Sequence, residues 1–164
     1  MFVTSSSSRT IAASGSGGSA PLRRLPDLRD AQLLVGVNRE IARQFLTGEL
    51  TVELMPQGTL AERLRTGGMG IPAFYTPAGV GTQVSDGGIP WRYNPDGTVH
   101  TASPTKETRE FRGRRFVLED VITTDFSLAH AKRGDRYGNL VFNKAVRSFN
   151  PLCAMAVVSP RLSS

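Results

Sequence analysis

The sequence predicts a mixed α/β or α+β domain. Three observations carry that reading: a capped amphipathic pattern at 38–48, a strand, loop and helix order over 51–68, and short alternating stretches between tight turns from 89 to 142.

In "NREIARQFLTG", Asn38 is placed to cap a helix and Glu40 favours its positive end. Ile41, Ala42 and Phe45 fall on one face, and Gly48 is a natural stop. "TVELM" at 51–55 alternates Val52 and Leu54 with Thr51 and Glu53, which predicts a strand. After the turn "PQG", Thr59 and Glu62 have capping-box spacing, Leu60 and Leu64 share a helical face, and Gly67-Gly68 is a stop. Further on, "NPDG" at 94–97 predicts a tight turn between "IPWRY" and "TVHTA", and Gly113 one that folds "TREF" onto "RRFVLED". "FSLAHAKRGD" resembles a strand ending at a turn around Gly138-Asn139, and the apolar "LVF" follows at 140–142. The tail "SFNPLCAMAV" predicts a helix after Pro151, with Ser148 or Asn150 as its cap.

Bulk composition narrows the class of protein. At 164 residues the chain is long enough for one domain with a buried core, and no apolar run approaches the roughly 18–20 residues that span a bilayer. Its 20 basic and 14 acidic residues give a net charge of +6, which permits anionic partners. The basic residues are spread out, however. Arg112, Arg114 and Arg115 form the densest group and read as a solvated turn. Neither a nucleic-acid recognition motif nor an aromatic platform is evident. Cys153 is the only cysteine, so no internal disulfide forms and a reducing compartment fits: the cytoplasm or, as the alternative, the mitochondrial matrix.

Residues 4–20, "TSSSSRTIAASGSGGSA", are expected to be disordered, because they bury too little to offset their ordering entropy. The segment superficially matches an organelle transit peptide, Ser-rich and acid-free until Asp27, although its apolar face is weak.

Self-sufficient chemistry is scarce. His100 and His130 pair neither with each other nor with Cys153 at metal-ligand spacing. "GMGIPA" at 68–73 starts like a dinucleotide fingerprint but has Ala73 where the third glycine belongs, and no nucleophile elbow or Walker loop occurs. Glu119, Asp120 and Asp125 are candidate general acids or bases that read more simply as exposed carboxylates flanking a strand. The strand-to-helix turn holding Gln57 and Gly58 is the more promising feature. Such turns place backbone N–H groups and a positive helix end beyond the carboxyl end of a strand, where α/β sheets bind ligands, although an ordinary connection with a surface glutamine has the same sequence.

Several long stretches, "GELTVELMPQGTLAERLRTGGMGIPAFYTPAGVGT", "YNPDGTV", "REFRGRRFVLED", "ITTDFSLAHAKRGDRYGNLVF" and "FNPLCAMA", resemble in collinear order the alpha subunit, or alpha-like half, of class I CoA-transferases, in the branch acting on 3-oxo acids. The likeness runs from Leu33 to Val157 and implies a partial three-layer α/β/α fold with a β-rich insertion. It implies ping-pong transfer of CoA from an acyl-CoA such as succinyl-CoA to a 3-oxo acid such as acetoacetate, with no metal or redox cofactor, no nucleic acid and no membrane. The nucleophilic glutamate would come from a beta subunit, in a heterodimer or heterotetramer, so this chain supplies pocket rather than nucleophile. The family's active-site glutamine falls on Gln57, which makes Gln57, Gly58 and Thr59 one candidate wall.

The other candidate wall is "FYTPAGVGT", with Tyr75, Thr76, Gly79, Gly81 and Thr82. Pro72 and Pro77 restrict its backbone, its glycines permit close approach, and its hydroxyls donate hydrogen bonds without bringing charge. Alternatively, Phe74 and Tyr75 plug the core beneath an irregular loop. Residues 1–32 lack the glycine-rich "GGF"-type segment with which the family's alpha half begins, the beta-half "SENG" segment is absent, and 158–164 diverge. These departures lead us to expect an incomplete alpha half, poorly stable alone because a sheet edge is uncovered. The alternative function is an inactive fragment that binds a partner or an anion.

Overall fold

The structure, a computed structural model, describes residues 2–5, 11–13, 28–32, 39–129, 131–143 and 149–157. In chain order the elements are β1 (Phe2–Ser5), β2 (Ile11–Ala13), β3 (Leu28–Gln32), α1 (Arg39–Leu46), α2 (Gln57–Gly68), β4 (Ala73–Thr76), α3 (Gln83–Asp86), β5 (Pro90–Tyr93) and β6 (Val99–Ala102). Then come β7 (Thr108–Phe111), β8 (Arg114–Asp120), β9 (Phe126–Leu128), β10 (Arg133–Gly134), β11 (Leu140–Val141) and α4 (Asn150–Met155). Helices and sheets therefore mix along the chain, as the sequence predicts. The sheets run β3-β1-β2-β9, β4-β8-β7, β5-β6 and β10-β11.

Strands occur where disorder is expected. β1 and β2 pair antiparallel, and β2 runs parallel to β9, in register from Ile11 opposite Phe126 to Ala13 opposite Leu128. Composition alone misses this, because these short strands are held by pairing, β1 with β2 and β3 and β2 also with β9, more than a hundred residues away.

α1 forms as its pattern predicts, although Asn38 lies outside the described residues. Its Phe45 is buried and meets the Tyr93 ring edge-on, with centroids 5.1 Å apart. Gly48 follows at φ +75, where a Cβ would stand 2.1 Å from the Tyr93 carbonyl oxygen, so the stop is also a close backbone contact with β5.

The strand predicted at 51–55 does not form. Val52 donates its N–H to the Trp91 carbonyl at 2.7 Å and is fully buried, but Leu54, which alternation places on the same face, is 41% exposed. A side chain helps to hold the segment: Glu53 accepts from Arg63 of α2 at 2.7 Å. The capping box is also absent. α2 starts at Gln57 with Pro56 as its N-cap and no capping side chain, which puts Thr59 inside the first turn.

Leu60 and Leu64 do share a face, and Leu64 packs with Ile122, Cys153 and Ala156 in the hydrophobic core. α2 ends at Gly68, as the Gly67-Gly68 pair predicts, with Met69 as its C-cap. A Cβ on Gly67 would meet the Ile122 carbonyl oxygen at 2.2 Å, and one on Gly68 the Met155 carbonyl oxygen at 1.9 Å. The pair lets α2 lie directly against the backbone that follows β8 and against α4.

Both predicted hairpins form, β5-β6 around "NPDG" and β7-β8 around Arg112-Gly113, each of which has positive φ. The strand expected over "FSLAHAKRGD" is broken into β9 and β10, with His130 outside the described residues. β10 pairs with β11 around a turn in which Asp135 accepts the Tyr137 and Asn139 N–H groups, each at 2.9 Å. The N-cap of α4 is Phe149, and Asn150, one of the two predicted caps, is instead a buried helical residue; the other, Ser148, lies outside the described residues.

Burial pushes the Cys153 thiol up from 9.0 to about 11. Below pH 9 the thiol is protonated in both states, whereas between about 9 and 11 the unfolded chain ionises first, so stability declines as pH rises through that window. Cys153 should therefore resist a thiol reagent at pH 8 in the folded chain and react at least about a hundredfold faster in denaturant, which a colorimetric thiol assay reads.

Candidate functional site

The first group of candidate residues opens α2. Gln57 and Gly58 are exposed, nothing lies within 4 Å of a Cβ built on Gly58, and the Gln57 amide has no hydrogen-bond partner among the described residues. The first-turn amides of a helix have no intrahelical acceptor, and here no side chain caps them and no acid lies in the first turn. The turn thus presents an unengaged carboxamide, backbone donors and the positive end of a twelve-residue helix. Thr59 differs from its neighbours. It is 3% exposed and its Oγ1 is buried without a hydrogen-bond partner, so its side chain faces the interior while only its backbone belongs to the turn.

The second group follows β4. Gly79 and Gly81 have φ +87 and +71, and a Cβ on Gly79 would stand 2.7 Å from Val84 Cγ1. Thr76 Oγ1 accepts the Ala78 N–H at 3.2 Å, Thr82 Oγ1 accepts the Val84 N–H at 3.2 Å as the cap of α3, and the Gly81 N–H donates to Ser85 Oγ at 3.0 Å. The loop is therefore rigid through its own hydrogen bonds. Gly79→Ala should lower stability by about 1–3 kcal/mol, since it adds both positive-φ strain and the Val84 contact; a denaturant titration measures it.

The reading of this wall as uncharged needs correction at its β4 end. The Tyr75 hydroxyl donates to the Glu107 carboxylate, and the Arg109 guanidinium lies over the Tyr75 ring, 5.7 Å from its centroid. That acceptor holds the Tyr75 phenol above the usual tyrosine range. Neither proposed role for the aromatic pair is purely met: Phe74 and Tyr75 are both half-buried, and Tyr75 packs edge-on to Phe111 at 5.2 Å on the β4-β8-β7 sheet. The loop from Thr76 to Thr82 carries no ionisable side chain.

A buried ionic cluster lies beside these walls, where the sequence led us to expect none. Glu119, expected to be exposed, is 1% exposed; Asp120 and Asp125 are exposed. Lys106 Nζ lies 2.6 Å from Glu119, and Arg63 Nη1 lies 2.7 Å from Glu53 and 4.0 Å from Glu119. The signal was present in β8, where alternation puts Glu119 on the same inward face as the fully buried Val117.

His100 is exposed on β6 beside Thr101 Oγ1, at 2.8 Å. Among the described residues no group of three or more His, Cys, Asp or Glu side chains is arranged to hold a metal ion, and no helix is long and apolar enough to cross a membrane.

A family model described as Coenzyme A transferase matches residues 10–159. The chain is 66% identical over 128 residues to one subunit of a probable succinyl-CoA:3-ketoacid coenzyme A transferase of Mycobacterium tuberculosis, covering 78% of this chain and 52% of that protein. It is 52% identical over 126 residues to the human succinyl-CoA:3-ketoacid coenzyme A transferase 2, mitochondrial, covering 76% and 24%. The chain thus spans about half the length of the mycobacterial relative and about a quarter of the human one. Among solved structures it resembles an acyl-CoA transferase of E. coli O157:H7 in a thioester complex with CoA, with TM-score 0.55 and 18% identity over 76% of this chain and 26% of that one. It also resembles the decarboxylase AibA/AibB, with TM-score 0.50 and 24% identity over 72% and 39%. A transferase and a decarboxylase share this fold, so the fold alone does not assign the reaction.

Proposed function

The chain belongs to the coenzyme A transferase family, and from that premise we propose that it is the alpha half of an enzyme moving CoA from succinyl-CoA to a 3-oxo acid such as acetoacetate. The partner, a beta subunit, supplies the nucleophilic glutamate. Its carboxylate attacks the thioester carbonyl, the C–S bond breaks, and CoA leaves as thiolate from a mixed anhydride. The thiolate then attacks the glutamyl carbonyl of that anhydride, giving a glutamyl-CoA thioester and releasing succinate. The acceptor acid completes the cycle by the same two steps in reverse. The thioester is itself the substrate, so the cycle needs no metal or redox cofactor.

Each step places negative charge on a carbonyl oxygen and so calls for fixed donors nearby. The observation carrying this reading is the unengaged Gln57 amide at the uncapped, exposed start of α2. The relatives' names supply the choice of acids and the division of the enzyme into subunits, and the compartment proposed is the cytoplasm or the mitochondrial matrix. Gln57→Ala, assayed in the complex with the beta subunit, should lower kcat by about a hundredfold or more, the effect of losing one oxyanion donor. Its melting temperature should match the wild type, since the side chain makes no hydrogen bond to the described residues. An unchanged kcat removes Gln57 from the site.

A further inference from the structure

The first wall opens α2 and the second follows β4, each held locally by its own hydrogen bonds, which raises the question of what fixes one relative to the other. A chain of polar contacts answers it. Glu53, three residues before Pro56, meets Arg63 of α2 at 2.7 Å; Arg63 faces Glu119 of β8 at 4.0 Å; Glu119 meets Lys106 Nζ at 2.6 Å. The Lys106 N–H then donates to the Ser85 carbonyl at 2.9 Å, and Ser85 Oγ accepts the Gly81 N–H at 3.0 Å. One end of this path is the lead-in to Gln57, and the other is the loop of Gly79, Gly81 and Thr82.

The path is buried where it matters. The Glu119 side chain is 1% exposed and that of Arg63 10%, while those of Lys106 and Glu53 are 17% and 19% exposed. Charges withdrawn from water interact strongly and tolerate little displacement, because losing one partner leaves another charge uncompensated. Arg63 Nε is buried without a hydrogen-bond partner among the described residues, so the guanidinium is held through Nη1. We propose that Lys106, Glu119, Arg63 and Glu53 are positioning residues that hold the Gln57 turn and the 76–82 loop in one fixed relation. The claim rests on reading those two segments as substrate walls.

Amide hydrogen exchange on the full chain tests the coupling without requiring activity. Lys106→Met should raise exchange by about tenfold or more at Gly81 and Ser85, and also at Val52 and Leu60 on the far side of the cluster, while Cys153 and Ala156 in and beside α4 exchange as in the wild type. Lys106→Arg, which keeps the charge, should restore the distant Val52 and Leu60 amides. Unchanged exchange at Val52 and Leu60 overturns the proposal, as does an equal rise around α4, which would make the cluster a general stabiliser. If Lys106→Met does not yield folded protein, Lys106→Gln carries the same test. In the complex with the beta subunit, Lys106→Met should lower kcat about tenfold with little change in KM for the thioester, as expected of misplaced groups. A wild-type complex that transfers no CoA refutes the proposed function, while the exchange data still decide the coupling.

Discussion

Gly67→Ala should destabilise the chain by about 3 kcal/mol or more, because a single methyl group cannot be accommodated where two backbones touch. The added Cβ would stand 2.2 Å from the Ile122 carbonyl oxygen and 2.9 Å from its carbon, and neither is the end of a flexible side chain. Relief requires α2 to retreat. Retreat would stretch the Ile122 N–H bond to the Arg63 carbonyl, now 2.9 Å, and open the contact of Leu64 with Ile122, Cys153 and Ala156. Gly58→Ala in the same helix is the control. Nothing lies within 4 Å of its Cβ, so helix propensity governs and the change should be neutral or stabilising by up to about 1 kcal/mol. Urea titrations of both variants measure the contrast.

Arg63→Met should cost about 3–5 kcal/mol, the range for breaking a buried ion pair by removing one member. Arg63 sits between two acids, so its loss takes a guanidinium from Glu53 and leaves the buried Glu119 with Lys106 as its remaining ion-pair partner among the described residues. Two positions further along α2, Arg65 pairs with Glu62 at 2.8 Å, but their side chains are 39% and 47% exposed. Arg65→Met should therefore change stability by no more than about 0.5 kcal/mol, since solvent screens such pairs. Equal effects of the two substitutions, in the same urea titration, would show that burial does not set the strength of the Arg63 cluster.

Gly67 and Arg63 also show where sequence reading succeeds and where it stops. α1, α2 and the two hairpins at "NPDG" and Arg112-Gly113 were legible because their signals are local: periodicity, a glycine at a turn, a capable flanking strand. Gly67-Gly68 as a helix stop is a local signal too, and α2 does end at Gly68. The second role of the pair, close approach to Ile122 and Met155, depends on segments more than fifty residues away. Tertiary context also decides the false strand at 51–55. Its alternation is real, but a strand needs a ladder, and the segment is tied instead by single bonds such as Val52 to Trp91 and Glu53 to Arg63. At the candidate site, the Gln57 turn and the rigid 76–82 loop were legible from their residues, and a family likeness carried by long motifs supplied the role expected of them. That Thr59 turns inward and Tyr75 is engaged by Glu107 could not be read, because burial and partner choice are tertiary properties.

The central claim, that this chain with a beta subunit forms a ping-pong CoA-transferase, is tested most directly by a half-reaction. The complex is incubated with succinyl-CoA and isotopically labelled succinate, with no 3-oxo acid present. Label should enter succinyl-CoA, because a glutamyl-CoA thioester can be reversed by succinate alone. Label that appears only when acetoacetate is added, or never appears, contradicts the mechanism.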